Sequence, residues 1–384
     1  IHTARSILRK QLLLFCQTHV KTITVIAIPI IGILFSPLIY PHAAELNVYD
    51  MSIKALFVKY PARDKLEIKP ITNSPINKIV WIIDESVAQR FFAKVMLPKL
   101  KGIDYLDFNE VASMANCSSQ SNAALRWGID VDNINSKSDM RSSPTVWAYA
   151  KNAGYKTTLI DGQVKQAPQN LIWPPEMAMI DEFIPSQSDI YTDKKIAEKI
   201  NEIINAPGKD FVYIVLRGVH FQYESHYPPE LISNNSSLEE KYMTAIEFSK
   251  QNFFTTLLNT VEREHTVIVY TSDHGQVISP GMLPHCNTQP NYLEFSVPLL
   301  AFLPPKNELF QNIKSNNFEG RSHSQIFPTT LFFMGFSKEY IEKNYDNLLN
   351  KPTRQYVHFG KKITPNEESQ NIEVYKSSEF PNRK

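Results

Sequence analysis

The stretch VYTSDHGQVISPGMLPHCNTQPNYLEFSVPLLAF, Val269 to Phe302, decides the reading of this chain: an apolar run ends in Asp273, His274 and Gly275, and a second apolar run closes the segment. Nearly continuous apolar runs of this length mark strands buried on both faces. Three more runs frame it, KIVWIID (Lys78–Asp84), YKTTLID (Tyr155–Asp161) and DFVYIVL (Asp210–Leu216), and its own first run extends back as HTVIVYTSD (His265–Asp273). Amphipathic stretches lie between them, notably SDIYTDKKIAEKINEIIN and LEEKYMTAIEFSKQNFFTTLLNTVERE, and Gly154 stands where a helix should stop before a strand. The alternation predicts an α/β fold whose mainly parallel central sheet is covered by helices on both faces.

Ligands of such sheets bind beyond the carboxyl ends of the strands, so the residues that end each run carry the functional information. In order these are Asp84 and Glu85, then His220 a few residues past Leu216, then Asp273 and His274. Two carboxylates and an imidazole are oxygen and nitrogen donors suited to zinc. Asp, His and Gly are also ordinary turn residues, so it is Glu85, arriving from another strand, that strengthens a metal reading. A further donor is expected in ASMANCSSQSNAALRWG (Ala112–Gly128), where hydroxyl residues precede the helical NAALRWG. A hydroxyl there feels the positive end of the helix dipole, which favours an alkoxide and the phosphoryl oxygens it attacks; the same serines would equally serve as plain helix caps.

With 384 residues, 43% hydrophobic, the chain has material for one large domain and an appendage. Forty basic against thirty-nine acidic residues leave a formal charge of +1. No global field draws a polyanion, so no nucleic-acid partner is expected and recognition must be local. The chain opens on Ile1 rather than Met, so an upstream portion is expected. Residues 22–44, TITVIAIPIIGILFSPLIYPHAA, contain no Asp, Glu, Lys or Arg, and as a helix Ile23–Tyr40 would be roughly 27 Å long. A transmembrane helix is expected there. Arg5, Arg9, Lys10 and Lys21 place residues 1–21 in the cytoplasm and everything beyond the span outside. Residues 45–77 read as an amphipathic helix and a Pro-rich linker, 78–363 as the catalytic domain, and 364–384 as a polar tail.

The ordered motifs resemble those of the membrane-anchored phosphoethanolamine transferases, within the alkaline phosphatase and sulfatase superfamily. The resemblance runs from about Lys78 to Phe336. Its carriers are Glu85 in WIIDES, Ser121 four residues after Cys117, Gly218–His220 in VLRGVHFQYESHYP, the Asp273–Gly275 triplet, His285, and the closing SHSQIFPTTLF. It implies an alkaline-phosphatase-like sandwich in the bacterial periplasm, anchored to the inner membrane and acting as a monomer. It implies one Zn²⁺ held by Glu85, Ser121, Asp273 and His274, with Ser121, rather than Ser118 or Ser119, as covalent nucleophile. Phosphoethanolamine would pass from phosphatidylethanolamine to a glycolipid acceptor, with His220 and His285 on the phosphoryl group or moving protons. An oxidising compartment would let Cys117 and Cys286 pair, while Cys16 stays reduced.

The chain departs from the family pattern in places. A serine stands where threonine is usual, no Pro-Cys-Met-Phe-like stretch follows it, Asp84-Glu85-Ser86 replaces Gly-Glu-Thr, and Gln276 follows Asp-His-Gly in place of Glu. Phosphoglycerol transfer, phosphodiester or sulfate-ester hydrolysis, and a non-catalytic membrane sensor of the same fold are the competing expectations. A formylglycine sulfatase is disfavoured, since CSSQS does not resemble Cys-x-Pro-x-Arg.

Overall fold

The computed structural model describes residues 58–131, 134, 139–233, 235–259, 264–279, 281–304, 320–345, 355–359, 363–365 and 372–376. Among these, no helix is long and apolar enough to cross a membrane. The span expected over residues 22–44, the cytoplasmic segment before it and the amphipathic helix after it lie outside the described residues, except that residues 58–60 form no regular structure.

Seven strands form one sheet: β1 (Lys78–Asp84), β2 (Leu106–Ala112), β3 (Lys156–Asp161), β4 (Glu182–Pro185), β5 (Asp210–Val215), β6 (Thr266–Ser272) and β7 (Ser296–Phe302). Their order is β2-β7-β6-β1-β5-β3-β4. All neighbours from β6 to β4 pair in parallel, and only β7 runs against its neighbours β6 and β2. Every residue of β1 and β6 is buried, which is why their sequences are continuous apolar runs rather than alternations.

Alternate residues of β1 serve two cores. Ile79, Trp81 and Ile83 pack with Phe211 and Tyr213 against helices α2 (Ser118–Trp127), α3 (Val146–Asn152) and α7 (Ile326–Phe333). Val80 and Ile82 pack against α1 (Gln89–Val95), α5 (Thr192–Asn205) and α6 (Leu238–Leu258) on the other face. The helices bury the stripes expected of them: Ile196, Ile200 and Ile204 at every fourth residue of α5, and Tyr242, Ala245, Ile246, Ser249, Phe253 and Leu257 along α6. Each fully buried Ile or Phe contributes about 1.5–3 kcal/mol relative to exposure. Ser237 and Glu240 close a reciprocal capping box at the start of α6.

Beyond α4 (Pro174–Met177) and α8 (Lys338–Asn344), a two-stranded antiparallel ribbon joins β8 (Gln355–His358) to β9 (Glu373–Lys376). Thus four residues of the segment expected to be a polar tail are a strand, and Val374 packs against the core.

Candidate metal centre and nucleophile

Because β1 lies between β5 and β6, the loops leaving the carboxyl ends of these strands converge. Glu85 follows β1, and Asp273 and His274 follow β6; all three are buried, and one ligand atom from each lies within 4.8 Å of the others. Close approach of the backbones makes this possible. At Gly218, φ is +63°, and an added Cβ would lie 2.4 Å from Glu85 Cβ and 2.5 Å from its carbonyl oxygen. At Gly275, a Cβ would lie 2.1 Å from the Leu293 carbonyl oxygen. These glycines let the β5 and β7 loops close over the two carboxylates.

Hydrogen bonding fixes the tautomer of His274. The Gly275 carbonyl can only accept, so at 2.8 Å it takes the Nδ1 proton, and Nε2 is the ring nitrogen that faces the cluster. Nε2 lies 3.4 Å from Glu85 Oε1 and 3.7 Å from Asp273 Oδ2. Asp273 Oδ1 accepts from the main-chain N–H groups of Ser86 and His274, whereas Oδ2 is buried without a hydrogen-bond partner.

The titration of the group follows from this crowding. Burial, reinforced by the Glu85 charge, pushes Asp273 up to about 8. Burial also opposes ionisation of Glu85, but the His274 hydrogen bond and charge, with the Ser86 hydroxyl, hold its carboxyl well below the usual range. Burial disfavours charge on His274, yet Asp273 and Glu85 outweigh it and lift the imidazole to about 9. Two buried carboxylates therefore draw a positive charge between them. An unpartnered carboxylate oxygen beside an imidazole nitrogen, whose proton a cation would displace, fits a divalent cation with oxygen and nitrogen ligands.

The serines fall otherwise than expected. Helix α2 begins at Ser118, with Cys117 as an N-cap that makes no side-chain bond, rather than at Asn122. Ser118 is thus the first-turn hydroxyl: its Oγ donates to Glu85 Oε1 at 3.2 Å and lies 3.1 Å from His274 Nε2. Ser121 lies one turn further on, fully buried, and its hydroxyl donates to the Asp273 carbonyl at 2.5 Å. Ser118 lines an open cleft of about 430 Å³ together with Glu85, Gln163, Arg217 and His220; Ser121 does not.

His285 stacks on His274 with ring centroids 4.1 Å apart, and His220 meets His285 edge-on at 5.2 Å. His285 Nδ1 faces Gln276 Oε1 at 3.1 Å, and His220 Nδ1 faces the Phe221 carbonyl at 2.7 Å. Both partners accept, so both rings carry the proton at Nδ1 and present Nε2. Burial and the His274 charge push His285 down to about 3. Cys117 and Cys286 form a disulfide, Cα–Cα 4.9 Å, that ties the start of α2 to the His285 loop.

The residues that the sequence reading passed over are Ser118, Gln163 and Arg217. Only Ser118 carried a signal, as one of three serines in a single stretch. A mid-loop glutamine and an arginine carried none.

The Sulfatase family model matches residues 94–336, more than half of the chain, and the chain belongs to that family. The C-terminal periplasmic domain of EcEptC from Escherichia coli is similar in structure, at 17% identity and a TM-score of 0.63, covering 84% of this chain and 98% of that one. Its zinc complex gives the same identity and coverage, with a TM-score of 0.62. The soluble domain of lipooligosaccharide phosphoethanolamine transferase A from Neisseria meningitidis is 15% identical, with a TM-score of 0.55, covering 72% of this chain and 93% of that one. At these identities the likeness establishes the alkaline-phosphatase-like α/β fold. No curated protein sequence matches the chain.

Proposed function

We propose that the chain is a zinc-dependent phosphotransferase that takes phosphoethanolamine from phosphatidylethanolamine onto Ser118 and passes it to a glycolipid of the cell envelope. The observation that carries this reading is the Ser118 hydroxyl, in the cleft at the start of α2, 3.1 Å from His274 Nε2 and 3.2 Å from Glu85 Oε1. It replaces Ser121, whose hydroxyl is committed to the Asp273 carbonyl. The likeness to two phosphoethanolamine transferase domains, one of them seen with zinc, supports the reaction class and the ion. Periplasmic placement and anchoring in the inner membrane through residues 22–44 belong to the same proposal.

Glu85, Asp273 and His274 would hold the ion. When bound, it supplies the positive charge that favours an alkoxide over a hydroxyl and offsets charge on a phosphoryl oxygen. Ser118 Oγ attacks phosphorus, the bond from phosphorus to the glycerol oxygen breaks, and diacylglycerol leaves having taken up a proton in place of the one the serine gives up, so the enzyme carries phosphoethanolamine as a serine ester. The main-chain N–H groups of Ser118, Ser119 and Gln120 precede the first intrahelical bond, Ser121 N to Cys117 O at 3.0 Å, and would hold the phosphoryl oxygens. His220, with an acceptor at Nε2, suits removal of the proton from the acceptor hydroxyl in the second displacement, while His285, too weak a base for that step, would stand beside the phosphoryl group.

One observation favours a second reading, phosphoglycerol transfer. Among the described residues lining the cleft, Glu85 is the only acid, while Arg217 adds a cation. An ethanolamine ammonium would find no dedicated counter-ion there. Vesicles carrying headgroup-labelled phosphatidylethanolamine or phosphatidylglycerol, offered separately to the full chain, decide between them. Label on the protein from the ethanolamine lipid alone supports the first reading; label from the glycerol lipid alone replaces it with the second. Label from neither, with zinc bound, refutes both.

A further inference from the structure

The loop that follows β3 forms a wall of the metal centre that the proposed mechanism does not use. Gln163 Nε2 donates to Glu85 Oε2 at 3.0 Å and to the Leu216 carbonyl at 3.0 Å, and its Oε1 accepts from Gln169 Nε2. This arrangement fixes the amide. Turned over, it would set an oxygen against a carboxylate and a carbonyl, and its nitrogen against the donor of Gln169. Glu85 Oε1, in contrast, faces the Ser86 hydroxyl at 2.7 Å, Ser118 at 3.2 Å and His274 Nε2 at 3.4 Å. The two oxygens of one carboxylate therefore have separate surroundings: Oε1 belongs to the cluster and Oε2 to the loop.

We propose that Gln163 is a positioning residue that holds Glu85 as a one-oxygen metal ligand, with Oε1 committed to the ion and to Ser118. The loop is shaped for this. Asp161, buried at the end of β3, accepts the Gln163 main-chain N–H at 2.9 Å, and the Gly162 N–H donates to the Val215 carbonyl at 2.7 Å. A Cβ on Gly162 would lie 2.8 Å from Arg217 N and 2.8 Å from Ile196 Cδ1. The chain is thus drawn against the end of β5, where the amide side chain reaches both Glu85 and Leu216. Without the Gln163 donor, the Glu85 carboxylate rotates freely and its Oε2 competes for the ion, which disturbs the approach of Ser118. Outer-sphere hydrogen bonds of this kind typically contribute 10- to 100-fold in metal affinity.

This inference rests on the metal reading of Glu85, Asp273 and His274, and the test separates the two. Zinc affinity is measured on the full chain by competition with a chromophoric chelator, and the thermal midpoint is measured on the metal-free protein. Gln163→Leu removes the donors at similar volume, Gln163→Glu keeps the shape but faces Glu85 with a second carboxylate, and Asp273→Asn gauges the site itself. The expected result is a 10- to 100-fold loss of zinc affinity in Gln163→Leu, a loss at least as large in Gln163→Glu, and an unchanged metal-free midpoint in Gln163→Leu. Affinity within twofold of wild type in Gln163→Leu, while Asp273→Asn loses zinc, overturns the role of Gln163 alone. A lowered metal-free midpoint in Gln163→Leu that accounts for the weaker binding makes the residue a packing element and also overturns it. Wild-type affinity in Asp273→Asn overturns the metal site, and the inference with it.

Discussion

Glu176→Gln is expected to be among the most damaging isosteric changes in this chain. The Glu176 carboxylate is fully buried and takes four donors: Arg126 Nε at 2.7 Å, Trp147 Nε1 at 2.9 Å, Trp127 Nε1 at 3.0 Å and Arg63 Nη2 at 3.4 Å. The Arg126 side chain is 0% exposed and that of Arg63 only 2%. Even with Glu176 ionised, burial pulls Arg63 down to about 10. An amide in its place keeps the volume but removes the counter-charge for both guanidiniums and turns an NH₂ towards donors. Breaking a buried pair on one side costs about 3–5 kcal/mol, because the remaining charge is left uncompensated. Arg126 and Trp127 are the last residues of α2, whose first residue is Ser118, so the loss also loosens the helix that aims the hydroxyl. Urea unfolding at neutral pH measures the effect, with the slope checked for an unchanged two-state transition. Replacing all the charged partners together, Arg63→Met and Arg126→Met with Glu176→Leu, should recover part of the loss. A change below about 1 kcal/mol for Glu176→Gln would refute the reasoning, since the guanidiniums would then have found other compensation.

Acid should destabilise the domain through His323. Burial pushes its imidazole from 6.5 to about 3, so the folded chain keeps it neutral while the unfolded chain takes a proton below about 6.5. Stability is therefore unaffected above that pH and falls as pH drops from 6.5 towards 3, by as much as about 5 kcal/mol at the low end. Urea midpoints across this window should be steeper in wild type than in His323→Gln; parallel curves would remove the assignment. Replacing Cys117 and Cys286 with alanine should cost about 2–4 kcal/mol by urea unfolding. It should also lower turnover by freeing the His285 loop from the start of α2, and unchanged turnover would show that the loop is held without the bridge.

The strand ends were legible because burial on both faces imposes unbroken apolar runs, and polar residues at their carboxyl ends stand out against them. Glu85, His220, Asp273 and His274 were singled out in this way, and His285 by resemblance. The edge strands were not. β2, LDFNEVA, mixes Asp, Asn and Glu into its run and carries a register shift between Asp107 and Glu110, and β4 is only four residues long. The position of the Ser118 hydroxyl beside Glu85 and His274 was not anticipated, for a local reason. Cys117 is the N-cap of α2 and makes no side-chain hydrogen bond, so no Ser, Thr, Asp or Asn stands at the true cap position, and the helix reads as starting four residues late. β9 was hidden because its pairing with β8 joins segments whose partners no local pattern announces.

The central claim is that Ser118 is the covalent nucleophile. Its most direct test is peptide mass mapping of the full chain after incubation with zinc and the lipid donor in the absence of acceptor, when the second displacement has no substrate. The account predicts one adduct, on Ser118, abolished in Ser118→Ala and retained in Ser121→Ala if that variant folds. An adduct on Ser121, or on Ser119, or one that survives Ser118→Ala, would contradict it.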